Sequence, residues 1–176
     1  RPPASEAMFT GVQLLEPSLL KSIPPGVPWG TSENLYPVLL EEGVPVYGYI
    51  MKGAWIDVGT PKRYLDANFM ALRDPSLLEL TEPGGGVVIE SDVEMGGGAE
   101  LRAPILLGEG CSLGKGSVIG PNVVMGSRCR VGSACRMSNS VIWDNVQTGG
   151  GSVIEDSIVA GDLLLPAASV IKGKIV

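Results

Sequence analysis

The chain has 176 residues, which is enough for one domain or two small ones. Apolar residues make up 44% of it but never form the run of about eighteen that a membrane span needs, and no basic n-region of a signal peptide opens it, so we expect a cytoplasmic protein. The net charge of −6 argues against nucleic-acid binding, because phosphates require a basic surface.

The first part of the chain alternates strand-like and helix-like stretches, which predicts α/β structure. Strands are predicted at 8–15, 44–51 and 54–58, and helices at 17–23, 35–42 and 61–74. In the third helix Thr60 is the predicted cap, and Leu65, Phe69 and Leu72 fall on one face. Residues 75–86, with three consecutive glycines, are the predicted linker to the second part of the chain.

Asp57 is the predicted ligand-binding residue of this part. In a strand, Gly53, Trp55, Asp57 and Gly59 share one face, which places the carboxylate at the strand's end, just before a helix. The helix start at 59–61 offers free N–H groups to an anion, and a carboxylate is the oxygen ligand that Mg²⁺ with a nucleotide phosphate prefers. The alternative is that Asp57 caps the turn at Gly59.

The second part of the chain has a period of six. Aliphatic residues recur without a miss from Ile89 to Met137, and a file of small or aliphatic residues runs two positions earlier, from Val87 to Cys135. A six-residue period is typical of a hexapeptide β-helix, in which each hexad supplies one short strand and one bend. Glycine after the first file suits a bend where a side chain would clash or φ must turn positive.

The period slips by one residue after Met137, which predicts a bulge or loop at 138–140. It resumes at Ile142, Thr148, Ile154 and Ala160, with a companion file at Ser140, Val146, Ser152 and Ile158. The pattern resembles that of hexapeptide-repeat proteins, in which three hexads close one coil; this resemblance implies about four coils over 87–160, and an extended tail is expected after about 165.

All three cysteines occupy the small inward file and are predicted to be core residues. Cys111 and Cys129 would stack about 4.8 Å apart. That spacing is compatible with a disulfide, but a reducing compartment predicts free thiols.

Several segments carry a family resemblance. They are Phe-Thr-Gly-Val at 9–12, Asn-Leu-Tyr-Pro-Val-Leu-Leu at 34–40, Val-Tyr-Gly-Tyr at 46–49, Gly-Ala-Trp-Ile-Asp-Val-Gly-Thr-Pro at 53–61 and Tyr-Leu-Asp-Ala-Asn at 64–68. In this order they resemble the last third of a sugar-phosphate nucleotidyltransferase domain, most closely that of mannose-1-phosphate guanylyltransferases, followed by its hexapeptide-repeat tail.

The resemblance implies a mainly β protein with a left-handed parallel β-helix. Residues 1–74 would be the remnant of an α/β nucleotidyltransferase domain, 75–86 the linker and 87–176 the β-helix. It further implies that Thr10 and Gly11 lie against the sugar and that Asp57 helps hold Mg²⁺. The substrates of the complete enzyme would be a nucleoside triphosphate and a sugar 1-phosphate, the products nucleotide sugar and pyrophosphate. Neither the base nor the sugar follows from these residues.

No complete catalytic set is expected in this chain. The family's glycine-rich loop with its arginine, a second aspartate and a catalytic lysine have no counterpart before Phe9. The glycines at 96–98 resemble that loop, but they fall within the six-residue register. We therefore expect a truncated C-terminal piece that is inactive alone and that either forms a homo-oligomer or binds an N-terminal segment.

The alternative function is a non-catalytic oligomerisation or regulatory scaffold. Acyl transfer, common among hexapeptide proteins, normally uses a histidine, and this chain has none. Arg128, Arg130 and Arg136 lie on outward positions and form either an anion-binding patch or a solvated face. Trp143 is either an interface anchor or a residue packed over the irregular loop.

Overall fold

A computed structural model describes residues 7–78 and 85–176 of the chain. The chain divides into two compact units between Trp55 and Ile56. The helix after Thr60 thus groups with the second unit, whereas the sequence analysis placed it with the first segment. Part of the predicted linker, residues 79–84, lies outside the described residues.

The first unit contains short helices at the predicted places. A 3₁₀ helix spans Pro17–Ser22, and a π-helical turn, Thr31–Leu35, leads into α1, Tyr36–Glu41. Leu35 and Leu39 are buried one turn apart, so they form the small core of this unit.

The predicted strands at 8–15, 44–51 and 54–58 are wrong for this structure, since the described residues before 86 contain no strand. A strand is stable only when its N–H and C=O groups pair with a neighbour, and these segments have no partner within the described chain. Their apolar side chains remain in solvent: Leu14, Tyr47 and Tyr49 are each at least 90% exposed.

In the second unit, α2 spans Pro61–Arg73. It begins as predicted, because the Thr60 side chain accepts a hydrogen bond from the Arg63 N–H at 3.3 Å and Pro61 occupies the first turn. Leu72 is buried, and Leu65 and Phe69 are half-buried on the same face. A 3₁₀ helix, Pro75–Leu78, comes next.

Residues 87–176 form a parallel β-solenoid of five coils with three strands each. Sheet A contains β1, β4, β7, β10 and β13; sheet B contains β2, β5, β8, β11 and β14; sheet C contains β3, β6, β9, β12 and β15. The strands are β1 Val87–Ile89, β2 Glu94–Met95, β3 Glu100–Leu101, β4 Ile105–Leu107, β5 Ser112–Leu113, β6 Val118–Ile119, β7 Val123–Met125, β8 Arg130–Val131, β9 Arg136–Ser138, β10 Ser140–Ile142, β11 Gln147–Thr148, β12 Val153–Glu155, β13 Ile158–Val159, β14 Leu164–Leu165 and β15 Val170–Lys172.

The two predicted inward files form the solenoid core through most of its length. Leu107, Ile119, Met125 and Ile154 from the larger file are fully buried, as is Cys111 from the smaller one. The core is narrow because each coil contributes only six inward side chains. The fold is thus held together by stacking between coils.

The repeat is one residue shorter at two corners of the solenoid. The first of these is the predicted slip after Met137, which is confirmed, and it is a tighter turn with no bulge. Leu107 pairs with Met125, eighteen residues on, but Met125 pairs with Ile142, only seventeen residues on. Asn139, with φ at +47°, makes that corner.

The second shortening was missed and corrects the predicted end of the core. Ile142 pairs with Val159, again seventeen residues on. Val159 therefore faces the core in place of Ala160, and Ser157 replaces Ile158 in the companion file. The predicted extended tail is also wrong, because 164–172 complete the fifth coil.

Sheet A is apolar on its outer face as well as inside. Its outward residues stack in register and are all aliphatic: Val88, Leu106, Val124, Val141 and Ile158. Helix α2 packs against β7 and β10 of this sheet, and Val141 and Ile158 are buried. The apolar outer ladder thus explains why α2 belongs to the solenoid unit.

Candidate functional site

Asp57 lies directly before α2 and is engaged on both carboxylate oxygens. Its Oδ1 accepts a hydrogen bond from the Gly59 N–H at 3.0 Å, and its Oδ2 pairs with the Arg63 guanidinium. Gly59 and Arg63 therefore fix Asp57 as the cap of the turn that begins the helix. This is the alternative role that the sequence left open.

These contacts do not fit a magnesium ion as they stand. The described residues contain no cluster of three or more His, Cys, Asp or Glu side chains that could hold a metal. A single carboxylate already paired with a guanidinium lacks the oxygen-rich shell that Mg²⁺ requires. The metal role of Asp57 therefore stays a prediction.

Thr10 and Gly11 lie in the first unit, where three of the resemblance segments come together. The Trp55 indole N–H donates to the Thr10 carbonyl oxygen at 3.2 Å, and the Phe9 ring packs edge-on against Tyr36 at 6.3 Å. Gly11 has a φ of +84°, which a side chain would strain. The arrangement brings a backbone turn, an indole and a tyrosine together, but it does not by itself test a sugar-binding role.

Gln13 joins this cluster and was missed in the sequence. Its side-chain amide donates to the Thr31 hydroxyl at 3.0 Å, and the Tyr36 hydroxyl donates to its carbonyl oxygen. Gln13 therefore ties residues 8–15 to the start of α1. Its position within a predicted strand gave no signal of this role.

Trp143 is half exposed and lines an open groove of about 350 Å³ in the second unit. The groove runs beside the start of α2, where Val58, Tyr64, Ile158 and Ile175 complete its mostly apolar lining. It therefore contains no converging ionisable groups of a catalytic centre. The Trp143 side chain thus presents apolar surface beside the start of α2, and its two predicted roles, as an interface anchor or as a residue packed over the loop at 138–140, stay predictions.

The cysteines are free and buried, as the sequence predicted. The Cys111 and Cys129 thiols donate to the carbonyl oxygens of Gly126 and Trp143, at 3.0 and 3.1 Å. The side-chain hydrogen bond with Cys129 lowers the pKa of Cys111 to about 7, and that same contact, together with burial, raises the pKa of Cys129.

The three arginines all lie in the third coil. Arg128 donates to the Asn145 side chain at 2.8 Å, and Asn145 donates in turn to Asp162 at 2.9 Å, which forms a polar ladder along one corner. Arg130 is outward on sheet B and Arg136 is outward on sheet C. They face different directions, so they do not form one anion-binding pocket.

The pairing of Arg63 with Asp57 is also consistent with the spacing of these residues in the sequence. A basic residue three positions after a Thr cap, in a helix preceded by an aspartate, lies within reach of that aspartate. The outer ladder of sheet A was equally readable, since positions 88, 106, 124, 141 and 158 are all aliphatic.

Residues 101–176 match the family model described as the GMPPB C-terminal domain. The chain is 43% identical over 51 residues to the glucose-1-phosphate adenylyltransferase of Clostridioides difficile, which covers 29% of this chain and 13% of that protein. It is 31% identical over 130 residues to the glucose-1-phosphate adenylyltransferase of Desulfitobacterium hafniense strain DCB-2, which covers 72% of this chain and 28% of that protein.

A longer alignment extends over both units. The UTP--glucose-1-phosphate uridylyltransferase of Synechocystis is 26% identical over 188 residues, which cover 92% of this chain and 44% of that protein. The chain thus spans less than half the length of each of these relatives. None of the described residues forms a helix long and apolar enough to cross a membrane. The predicted resemblance is confirmed: the chain is similar to the C-terminal portion of sugar-phosphate nucleotidyltransferases, including their hexapeptide-repeat solenoid.

Proposed function

We propose that this chain is the C-terminal part of an enzyme that transfers a nucleotidyl group from a nucleoside triphosphate to a sugar 1-phosphate. The observation that carries the proposal is the uridylyltransferase alignment, because it includes both the first unit and the solenoid. A hexapeptide solenoid alone occurs in many functional classes, whereas its combination with the 53–61 segment is far more specific.

The chain alone is proposed to be inactive. Nucleotidyl transfer needs cationic groups and metal around the transferring phosphate, and the described residues contain no cluster of three or more His, Cys, Asp or Glu side chains that could hold that metal. The exposed, unpaired segments of the first unit support binding to a further segment that supplies those groups, or self-association. The left-handed sense of the solenoid belongs to the same proposal, as does an α/β fold of residues 1–74 in the complete enzyme, where a further segment would supply partners for the unpaired stretches.

Within the complete enzyme, Thr10 and Gly11 are proposed to contact the sugar, and Asp57 to contribute to Mg²⁺ binding. The metal role requires Arg63 to release the carboxylate and other oxygen ligands to come from outside the described residues. A cytoplasmic location completes the proposal, since both substrates are charged small molecules.

The test is pyrophosphate release from GTP and mannose 1-phosphate, and from UTP or ATP with glucose 1-phosphate. Each pair is assayed with this chain alone and with an added N-terminal nucleotidyltransferase segment. Activity only with the added segment is the expected result. Absence of activity with every pair in both conditions would reject the enzyme and leave the solenoid as a scaffold, an alternative supported by the engagement of Asp57 with Arg63.

A further inference from the structure

Two of the three buried cysteines stack against each other in neighbouring coils. Ser112 in the second coil pairs with Arg130 in the third. The residues directly before this pair are Cys111 and Cys129, which therefore lie in register. Neighbouring strands are about 4.8 Å apart, and a disulfide needs Cα atoms roughly 4.4–6.8 Å apart. The backbone therefore already has the spacing of a cross-link.

The two sulfur atoms also interact with each other. Both side chains are fully buried in the core, where Cys111 is hydrogen-bonded to Cys129. The Cys129 thiol thus has two acceptors in reach, the Trp143 carbonyl oxygen at 3.1 Å and the Cys111 sulfur. The hydrogen bond from Cys129 lowers the pKa of Cys111 to about 7. Because the thiolate is the reactive form of cysteine, this contact favours Cys111 as the sulfur that reacts first.

Cys135 provides a matched control within the same file. It is as deeply buried as the other two cysteines, and its thiol also donates to a backbone carbonyl oxygen, that of Gly149, at 3.2 Å. The residues that stack on it in the second and fourth coils are Ser117 and Ser152. Cys135 therefore shares the burial and the hydrogen bonding of the pair but has no sulfur partner in a neighbouring coil.

We propose that Cys111 and Cys129 are a redox-active pair that hydrogen peroxide oxidises to a reversible disulfide between the second and third coils. In the first step the Cys111 thiolate attacks one peroxide oxygen. The O–O bond breaks, Cys111 becomes a sulfenic acid, and the hydroxide that leaves takes up the proton that Cys111 had released. In the second step the Cys129 sulfur attacks the Cys111 sulfur, the S–S bond forms, and the sulfenic hydroxyl leaves with the Cys129 proton as water.

The reaction is balanced without a further reactant. The two thiols lose two electrons in forming the disulfide, and the peroxide gains them and becomes two waters. The inference concerns the thiols of the solenoid and does not rest on nucleotidyl transfer.

A small oxidant reaches this pair because the solenoid is narrow. Each coil is a single turn of backbone around the core, so an inward sulfur lies beneath one layer of backbone. Both cysteines follow a corner residue with left-handed backbone, Gly110 at φ +69° and Arg128 at φ +56°. Opening of these corners exposes the thiols without unfolding the solenoid, since local openings cost less free energy than global unfolding.

The cross-link is expected to be easily reversed. In the reduced chain each thiol donates to a backbone carbonyl oxygen, and a disulfide has no S–H to donate. Loss of these hydrogen bonds opposes oxidation, so the disulfide is more readily reduced than a structural one. Because one of the carbonyls belongs to Trp143, oxidation also changes the hydrogen bonding of a residue that lines the groove beside α2.

The experiment is oxidation of the folded full chain with hydrogen peroxide, followed by a count of free thiols after denaturation in acid and by peptide mass spectrometry. The reduced chain has three free thiols, and oxidation is expected to leave only that of Cys135. The mass is expected to fall by two hydrogen atoms, and a peptide pair linked through Cys111 and Cys129 is expected to appear. Dithiothreitol is expected to restore every thiol.

Serine variants separate the pair from the third cysteine. Cys135→Ser is expected to form the disulfide as the wild type does and to retain no free thiol. Cys111→Ser and Cys129→Ser are each expected to form no disulfide, and only Cys129→Ser, which keeps the attacking thiolate, is expected to accumulate a sulfenic acid that dimedone traps. Circular dichroism before oxidation checks the fold of each variant, and the linked peptide of the wild type tests the proposal without any substitution.

A folded wild type that keeps all its thiols until it is denatured would overturn the proposal. Disulfides between copies, seen as dimers on a non-reducing gel, or linked peptides that contain Cys135 would also overturn it, because the register predicts only the link between Cys111 and Cys129. Equal trapping of sulfenic acid at all three cysteines would overturn it as well, since oxidation would then be non-specific.

Discussion

Gly114 is glycine because another coil passes too close for a side chain. A Cβ at this position would lie 2.4 Å from the Gly132 carbonyl carbon of the next coil. Its backbone does not have positive φ; the left-handed residue of this corner is Gly116, at +66°. Of the two reasons that the sequence offered for these glycines, close approach therefore applies at Gly114.

Gly114→Ala is expected to lower the free energy of unfolding of the solenoid by about 1–3 kcal/mol or more, because the contacted atoms are backbone and cannot move aside cheaply. Gly97→Ala is the control, since nothing lies within 4 Å of a Cβ there. Chemical denaturation monitored by circular dichroism measures both. Equal denaturation midpoints for the two variants would contradict the claim that the neighbouring coil excludes a side chain at Gly114.

Asp57 shows where residue-level prediction from sequence stops. The sequence correctly suggested that this carboxylate lies at the start of a helix, because Thr60 and Pro61 are strong start signals. The spacing also places Arg63 within reach of Asp57, but no rule on spacing distinguishes a carboxylate that binds a metal from one that pairs with a guanidinium.

Adding Mg²⁺ to the isolated chain is expected to leave its melting temperature unchanged, because both Asp57 oxygens are engaged. Asp57→Asn retains an acceptor for the Gly59 N–H and loses only an exposed ion pair, so it should cost no more than about 1 kcal/mol. Asp66→Asn, which removes the exposed pair with Lys62, is the matched control. A Mg²⁺-dependent rise in melting temperature that Asp57→Asn abolishes would show that the chain binds the metal through Asp57.

At the scale of elements, the sequence predicts what local signals determine. The start of α2 and the inward files of the first three coils were predictable, because capping and period depend on nearby residues. The strands before residue 60 were predicted wrongly, since a strand exists only with a partner and alternation does not supply one. The second slip was missed because Ala160 and Val159 are both acceptable core residues.

Leu72→Ala is expected to destabilise the second unit by about 2–4 kcal/mol, because Leu72 is the buried residue on the face of α2 and its removal leaves a cavity. Met70→Ala, on the exposed side of the same helix, should change stability by less than about 1 kcal/mol. Thermal unfolding of the two variants compares these effects. Equal losses of stability in the two variants would mean that α2 does not pack on sheet A through the face that carries Leu72.

At the scale of the whole molecule, a repetitive core is joined to a segment whose strand-like stretches have no strand partners among residues 7–78 and 85–176. The solenoid can be predicted from sequence because every coil repeats one physical rule: two side chains inward per hexad, and a corner with a small or left-handed residue. The first unit cannot be predicted in the same way, because its alternating stretches form no strand within the described part of the chain and no repeated rule fixes their conformation.

The most direct test of the solenoid is nuclear Overhauser contact between methyl groups of the inward residues on sheet A. The structure predicts a single ordered series in which Leu107 contacts Met125, Met125 contacts Ile142, and Ile142 contacts Val159. Contacts that skip a coil, or antiparallel backbone contacts between these strands, would contradict a stacked parallel solenoid and with it the surfaces that depend on this stacking.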